Sequence, residues 1–242
     1  MKNNWQIYRY ESLTSTNDEI KKFCAEPKRR PVVQTRFQTA GRGRRGRTWQ
    51  SLDGNLFFSA ATEFPIKDLG VLVLISGLSV LQTVRFFAPN ADIKLKWPND
   101  VLLNDAKVSG ILLEKGPQDY IIIGIGVNTL QSPHTSDMLY PVTSLHEAGI
   151  NVTADDFLQR FLIIFNMYLE LYAAGNIAQI RRQWLENAKG LGQPLQVCQD
   201  NRKQTGVFHG IDENGALLLE NNNGISKILV GDVFYIEKKK DE

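Results

Sequence analysis

Apolar residues in this chain are grouped in two ways, and each grouping predicts a different element. Pro31 to Phe37 and Asn55 to Glu63 are short runs rich in β-branched and aromatic residues and read as strands. Leu69 to Phe87 is apolar at too many positions for a single helical face, which predicts a long helix buried against a sheet. Ile93 to Lys96, Val108 to Glu114 and Tyr120 to Val127 read as further strands, parted by turn chemistry at Pro98-Asn99-Asp100, Asn104-Asp105 and Gly116-Pro117; another strand starts at Val101.

Two Ser/Thr-x-x-acid patterns predict helix starts. Ser15-Thr16-Asn17-Asp18 precedes a short helix with Ile20 and Phe23 inward, and Thr153-Ala154-Asp155-Asp156 opens an amphipathic helix that ends near Gly175. Ile177 to Ala188 reads as a second helix directly after it. Beyond Gly190-Leu191-Gly192 the helical period disappears. Short alternating runs punctuated by Asp212-Glu213-Asn214-Gly215 and Asn221-Asn222-Asn223-Gly224 predict a small β-barrel. The expected organisation is α+β, with a mixed-sheet domain over 1–189 and a barrel over 190–242.

Composition narrows the classes. With 242 residues, 43% apolar and 22% charged, the chain can bury a substantial core, which excludes disordered, collagenous and disulfide-scaffold readings. The formal charge of +2, from 28 basic and 26 acidic residues, leaves local clustering as the only source of affinity for polyanions. Cys24 and Cys198 lack zinc or redox spacing, the start lacks a signal-peptide core, and Leu69 to Val84 reads as too short and too interrupted to span a bilayer; the expectation is a cytoplasmic protein without membrane contact.

Gly41-Arg42-Gly43-Arg44-Arg45-Gly46-Arg47, ahead of Trp49, puts four guanidinium forks and three glycines in seven residues, a composition suited to gripping phosphate or carboxylate oxygens. The heptad alone also fits a segment that binds RNA without sequence preference. In Lys96-Trp97-Pro98-Asn99-Asp100 an amide and a carboxylate stand side by side at a strand end, as a triphosphate or Mg²⁺ site would need and as an ordinary turn also would. Lys107 stands at the lip of a buried strand next to Ser109 and Gly110, and a glycine there marks close approach of a ligand or another backbone. Gly124-Ile125-Gly126-Val127-Asn128 lacks the third glycine of a dinucleotide fingerprint. His134, His146 and His209 are scattered and suggest neither a metal cluster nor a triad.

Taken in order, Ser15-Thr16-Asn17, Gln38 to Arg47 with Trp49, Lys96 to Asp100, Lys107 to Glu114 and Gly124 to Asn128 closely resemble the biotin protein ligase family over essentially the whole chain. The resemblance implies a catalytic domain related to class II aminoacyl-tRNA synthetases followed by an SH3-like barrel. It implies that biotin and ATP, with Mg²⁺, give biotinyl-5′-adenylate, and that a lysine of the biotin carboxyl carrier domain of acetyl-CoA carboxylase then takes the biotinyl group. On that likeness Ser15, Thr16, Asn17, Gln38, Arg42, Gly43, Arg44, Lys107 and Gly110 line the biotin site. Arg42, Arg44, Arg47, Trp49, Lys96, Asn99, Asp100 and Asn128 serve ATP or the adenylate, with Trp49 under adenine and Asp100 toward the metal. Arg44 and Lys107 carry the chemistry, and the arginine loop is expected to be ordered by ligand, biotin first. The Ser-Thr-Asn motif falls at residue 15, which leaves no room ahead of it for a DNA-binding domain, so operator binding is not expected. A lipoate-type ligase and a nucleic-acid module are the rival readings, and a monomer and a homodimer read alike.

Overall fold

The structure, a computed structural model, describes residues 5–24, 30–133, 140–199 and 202–236. Seven strands, β1 (Trp5–Leu13), β2 (Arg30–Gln38), β3 (Leu56–Glu63), β4 (Ile93–Lys96), β5 (Asp100–Leu103), β6 (Ala106–Lys115) and β7 (Tyr120–Val127), form one sheet in the order β1-β2-β3-β7-β6-β5-β4. Only β1 and β2 pair in parallel, so the sheet is mixed, as expected. Strand β1 has no counterpart in the sequence reading. It is an edge strand whose apolar residues Trp5, Ile7, Tyr8, Tyr10 and Leu13 do not alternate cleanly with its polar ones, so the period that marks a half-buried strand is missing.

Helix α1 (Thr16–Glu19) is a single turn that runs on into a 3₁₀ turn, Ile20–Phe23. The capping box expected at Ser15 does not form: Ser15 makes no side-chain cap bond, and Asp18, the acid of the pattern, turns to Arg42 and Lys21 instead. Helix α2 (Leu69–Phe87) has twelve of its nineteen residues buried, and its buried hydroxyls Ser76, Ser79 and Thr83 each bond at 2.7 Å to the carbonyl four residues earlier. By length and apolar composition α2 would pass for a membrane span, contrary to the sequence reading; here it is a core helix. Helix α3 (Ala154–Ala173) packs beside it and is capped as expected, with Thr153 Oγ1 accepting the Asp156 N–H at 3.1 Å. Phe58 of the sheet meets Phe161 of α3 edge-on at 5.1 Å between centroids, and Phe161 stacks on Phe165 at 5.3 Å.

Helix α4 (Ile177–Glu186) leads to five strands, β8 (Pro194–Gln199), β9 (Arg202–Ile211), β10 (Leu217–Asn221), β11 (Gly224–Ile228) and β12 (Asp232–Tyr235), that form an antiparallel sheet in the order β11-β10-β9-β8-β12. Its core is continuous with that of the larger sheet. Trp184 of α4 is fully buried with its ring 6.5 Å from that of Phe208, and Trp97 Nε1 donates to the Gly215 carbonyl at 3.0 Å. Burying one such aromatic side chain contributes roughly 2–3 kcal/mol. The tail Lys238 to Lys240 lies outside the described residues.

Candidate active site

A cavity of about 610 Å³ opens on one face of the larger sheet, and of the residues assigned by resemblance to the biotin and ATP sites all but Lys96 line it. Its inner end is neutral. Thr16 and Asn17, at the start of α1, are buried against Ser59 of β3, whose Oγ lies 2.7 Å from Thr16 Oγ1 and 2.5 Å from Asn17 Oδ1. Asn17 Oδ1 can only accept, so the Ser59 hydroxyl orients the amide and leaves Asn17 Nδ2 without a protein partner at the cavity wall. Gln38 Oε1 accepts the Thr16 N–H at 2.9 Å and the Thr16 hydroxyl at 3.2 Å, which fixes its amide in turn. Ser59 and Gly124 are register partners on β3 and β7, and Asn17 lies over Gly124 where any Cβ would strike its side chain. This is why the sequence needs glycine there.

The same device recurs further along. Gly110 of β6 and Gly126 of β7 face each other in register, and the Trp49 indole lies on both, where an added Cβ would run into its ring. The glycines singled out in the sequence thus form a flat seat for an aromatic ring. Trp49 Nε1 is buried without a protein partner.

The outer end is charged. Lys107 Nζ lies 2.6 Å from Asp100 Oδ1 and 5.4 Å from the centroid of the Trp49 ring, and the Tyr140 hydroxyl donates to Asp100 Oδ2 at 3.0 Å. Lys107 is held by its backbone as well: its N–H donates to Pro141 O at 2.8 Å and its carbonyl accepts the Thr143 N–H at 2.9 Å. Lys96 is the exception to expectation. It is buried, with Nζ 3.4 Å above the Tyr140 ring, and burial pulls its pKa down to about 8; it backs the site from behind Tyr140. Burial, with Asp100 adjacent, pushes the Tyr140 hydroxyl well above the usual tyrosine value. Asn99 Oδ1 accepts from Arg44 Nη1 at 2.9 Å while its Nδ2 donates to Ile111 O at 2.7 Å, and Asn128 Nδ2 donates to Thr143 O at 3.0 Å.

The four loop arginines point three ways. Arg44 turns inward to Asn99, and desolvation lowers its pKa. Arg45 and Arg47 turn to the smaller sheet, where Asp232 lies 3.5 Å from Arg45 Nη1 and 2.8 Å from Arg47 Nη2. Arg42 turns to Asp18 and Glu114. The expectation that Arg42 grips an anion therefore meets a guanidinium already engaged by two carboxylates. Likewise Gly43, expected in the biotin site, has its N–H engaged inside the loop, donating to Arg47 O at 2.7 Å, and Arg45 takes the left-handed conformation with φ 57° at the tip.

Among the described residues no group of three His, Cys, Asp or Glu side chains could hold a metal ion; Asp100 Oδ2 accepts from Tyr140, while its Oδ1 has the Lys107 ammonium at 2.6 Å but no aligned hydrogen bond. The donor set does not fit a protein-held Mg²⁺, and no step is assigned to one. His146 bonds Asn151 at 2.9 Å and His209 lies against Glu220 at 3.1 Å, both away from the cavity, while His134 lies outside the described residues. Sequence reasoning missed Ser59, Tyr140, Asp18, Glu114 and Asp232, and only the Ser59 position, a hydroxyl within the apolar run Leu56 to Ala61, carried a signal.

A family model described as "Biotin/lipoate A/B protein ligase family" matches residues 8–128, half of the chain and the portion that supplies all of the cavity lining but Pro133, Tyr140 and Val142. The chain belongs to that family. A second family model, "Biotin protein ligase C terminal domain", matches residues 190–235. Among family members, the biotin--[acetyl-CoA-carboxylase] ligase of Paracoccus denitrificans is 34% identical, over 91% of this chain and 97% of that one. The bifunctional ligase/repressor of Bacillus subtilis is also 34% identical, over 81% of this chain but 63% of its own length. The biotin protein ligase of Aquifex aeolicus solved with biotin and ATP superposes with a TM-score of 0.84 at 28% identity, covering 96% of this chain and 99% of that one.

Proposed function

We propose that the protein is a biotin protein ligase that activates biotin with ATP to biotinyl-5′-adenylate and transfers the biotinyl group to a lysine of a biotin carrier domain such as that of acetyl-CoA carboxylase. The observation that carries this reading is a single cavity with a neutral, amide-lined end and a cationic end, in a chain of this family. A bicyclic ureido ring matches the first, where Asn17 Nδ2 stands ready as a donor and Phe58 and Ile125 supply apolar wall. A carboxylate and an α-phosphate, which repel each other, match the second.

In the first half-reaction the biotin carboxylate oxygen attacks the α-phosphorus, the bond to the β-phosphate oxygen breaks, and pyrophosphate leaves. Negative charge develops on phosphoryl oxygens, and Arg44 and Lys107, cations already positioned in a half-buried site, stabilise it. Trp49, seated on Gly110 and Gly126, offers a flat face for adenine. In the second half-reaction the carrier amine attacks the acyl carbon, Lys107 stabilises the oxyanion, and AMP leaves. The magnesium expected with the nucleotide would be carried by its phosphates. The predicted cytoplasmic location suits a chain whose two described cysteines are free thiols.

Two observations weigh against the rivals. The terminal segment matches a domain characteristic of biotin ligases, against a lipoate-type enzyme. Three of the four loop arginines are paired with carboxylates, which removes the basic stripe that a nucleic-acid module needs. The test is transfer itself: incubated with ATP, a carrier domain and either biotin, lipoate or octanoate, the protein adds one biotinyl group to one lysine, read by intact mass. Acylation by lipoate in preference to biotin, or none at all, would overturn the proposal.

A further inference from the structure

We infer that Asp18 and Glu114 are positioning residues that latch the arginine loop over the neutral end of the cavity through Arg42, so that Arg42 retains the bound acid by holding the loop and not by touching the ligand. The inference rests on the proposed function for the identity of that acid, and on geometry for the rest. Arg42 Nη1 donates to Asp18 Oδ2 at 2.6 Å and Nη2 to Asp18 Oδ1 at 3.0 Å, a bidentate pair; on the other side Nε donates to Glu114 Oε1 at 3.3 Å and Nη2 to Glu114 Oε2 at 3.1 Å. Four of the five N–H groups a guanidinium carries are thereby engaged.

The anchors stand where a latch would be useful. Asp18 follows Asn17 directly, and Glu114 lies on β6 beyond Leu112, so the two carboxylates flank the inner end of the cavity and Arg42 bridges them. Lys21 Nζ, 3.0 Å from Asp18 Oδ1, holds the carboxylate from behind. With both carboxylates engaging the guanidinium, little of Arg42 is left to grip a biotin carboxylate directly. The opposite flank of the loop is tied at Asp232, leaving Arg44 as the arginine directed inward.

The two roles for Arg42 predict opposite signs. Neutralising the carboxylates in Asp18→Asn/Glu114→Gln frees the guanidinium. A ligand-gripping Arg42 would then hold biotin more tightly, whereas a latch lets it go. Stopped-flow release of biotin from the full-length protein is expected to be at least fivefold faster in the double variant, with the chemical rate at saturating biotin changed less than twofold and with Asp18→Glu restoring most of the loss. Slower or unchanged release would overturn the latch. Proteolysis of the free protein between residues 42 and 47 gives a reading that needs no ligand: faster cleavage in Asp18→Asn/Glu114→Gln supports the latch, equal cleavage overturns it. Were the unaltered protein to bind no biotin, the proposed function would fall while this second reading still decided the latch.

Discussion

At the inner end of the cavity Thr16, Asn17, Ser59 and Gln38 meet as neutral groups, packed on the backbone of a central strand and oriented by hydrogen bonds among themselves. At the outer end Lys107, Asp100, Arg44 and Asn99 meet with Tyr140 and the buried Lys96, brought from four separated stretches of chain. At the neutral end each amide has one orientation that satisfies its neighbours. The charged end has groups that can exchange partners: Lys107 rests on Asp100 and Arg44 on Asn99, each displaceable by phosphoryl oxygens. One end is built to recognise a shape, and the other to meet charge that appears only during reaction.

Removing the outer cation separates the two ends most sharply. Lys107→Ala is expected to slow adenylate formation by at least about 10²-fold, the scale of losing a fixed charge at a developing anion, while biotin affinity changes less than threefold. Single-turnover formation of the adenylate and equilibrium binding of biotin, measured on the same preparation, check both halves. An equal loss in binding would place Lys107 at the wrong end.

The glycine seats give a finer pair. Gly126→Ala pushes Trp49 off its seat and is expected to raise the KM for ATP about tenfold, while Gly124→Ala displaces Asn17 and is expected to raise the KM for biotin by a similar factor, each leaving the other substrate within about twofold. Steady-state titration of each substrate at saturation of the other reads the pair, and a shared loss would show that the ends are not independent.

The smallest effect is on acid stability. Hydrogen bonding to Arg42 pulls the Asp18 pKa down to about 2 from an ordinary 3.8, so its contribution is complete above about pH 4 and is lost as pH falls through about 2. The carboxylate is 44% exposed, which screens the pair and limits the contribution to less than about 1 kcal/mol. Denaturant midpoints of the unaltered protein and Asp18→Asn should differ at pH 7 and converge near pH 2.

How much of this was legible in the sequence follows from where each signal resides. The long helix α2 and strands β3 and β7 announce themselves because their apolar runs outlast any surface pattern, and the arginine loop because its composition is extreme. Gly110 was visible as a glycine inside a strand, and Gly124 and Gly126 as an incomplete dinucleotide fingerprint, but what each accommodates, Trp49 or Asn17, depends on register across the sheet. Edge strand β1 escaped because it lacks a clean alternation. The capping pattern at Ser15 misled because Asp18 had a stronger partner, an arginine 24 residues away. Asp18, Glu114, Tyr140 and Asp232 were illegible for the same reason: each is an ordinary surface-type residue until the fold sets an arginine or another polar group beside it.

The measurement that tests the central claim most directly is exchange of labelled pyrophosphate into ATP by the unaltered protein, with biotin, lipoate and octanoate supplied in parallel. A cavity whose neutral end selects biotin and whose charged end forms its adenylate predicts exchange with biotin and none above background with the other two acids. Exchange supported equally by all three, or by none of them in folded protein, would contradict it.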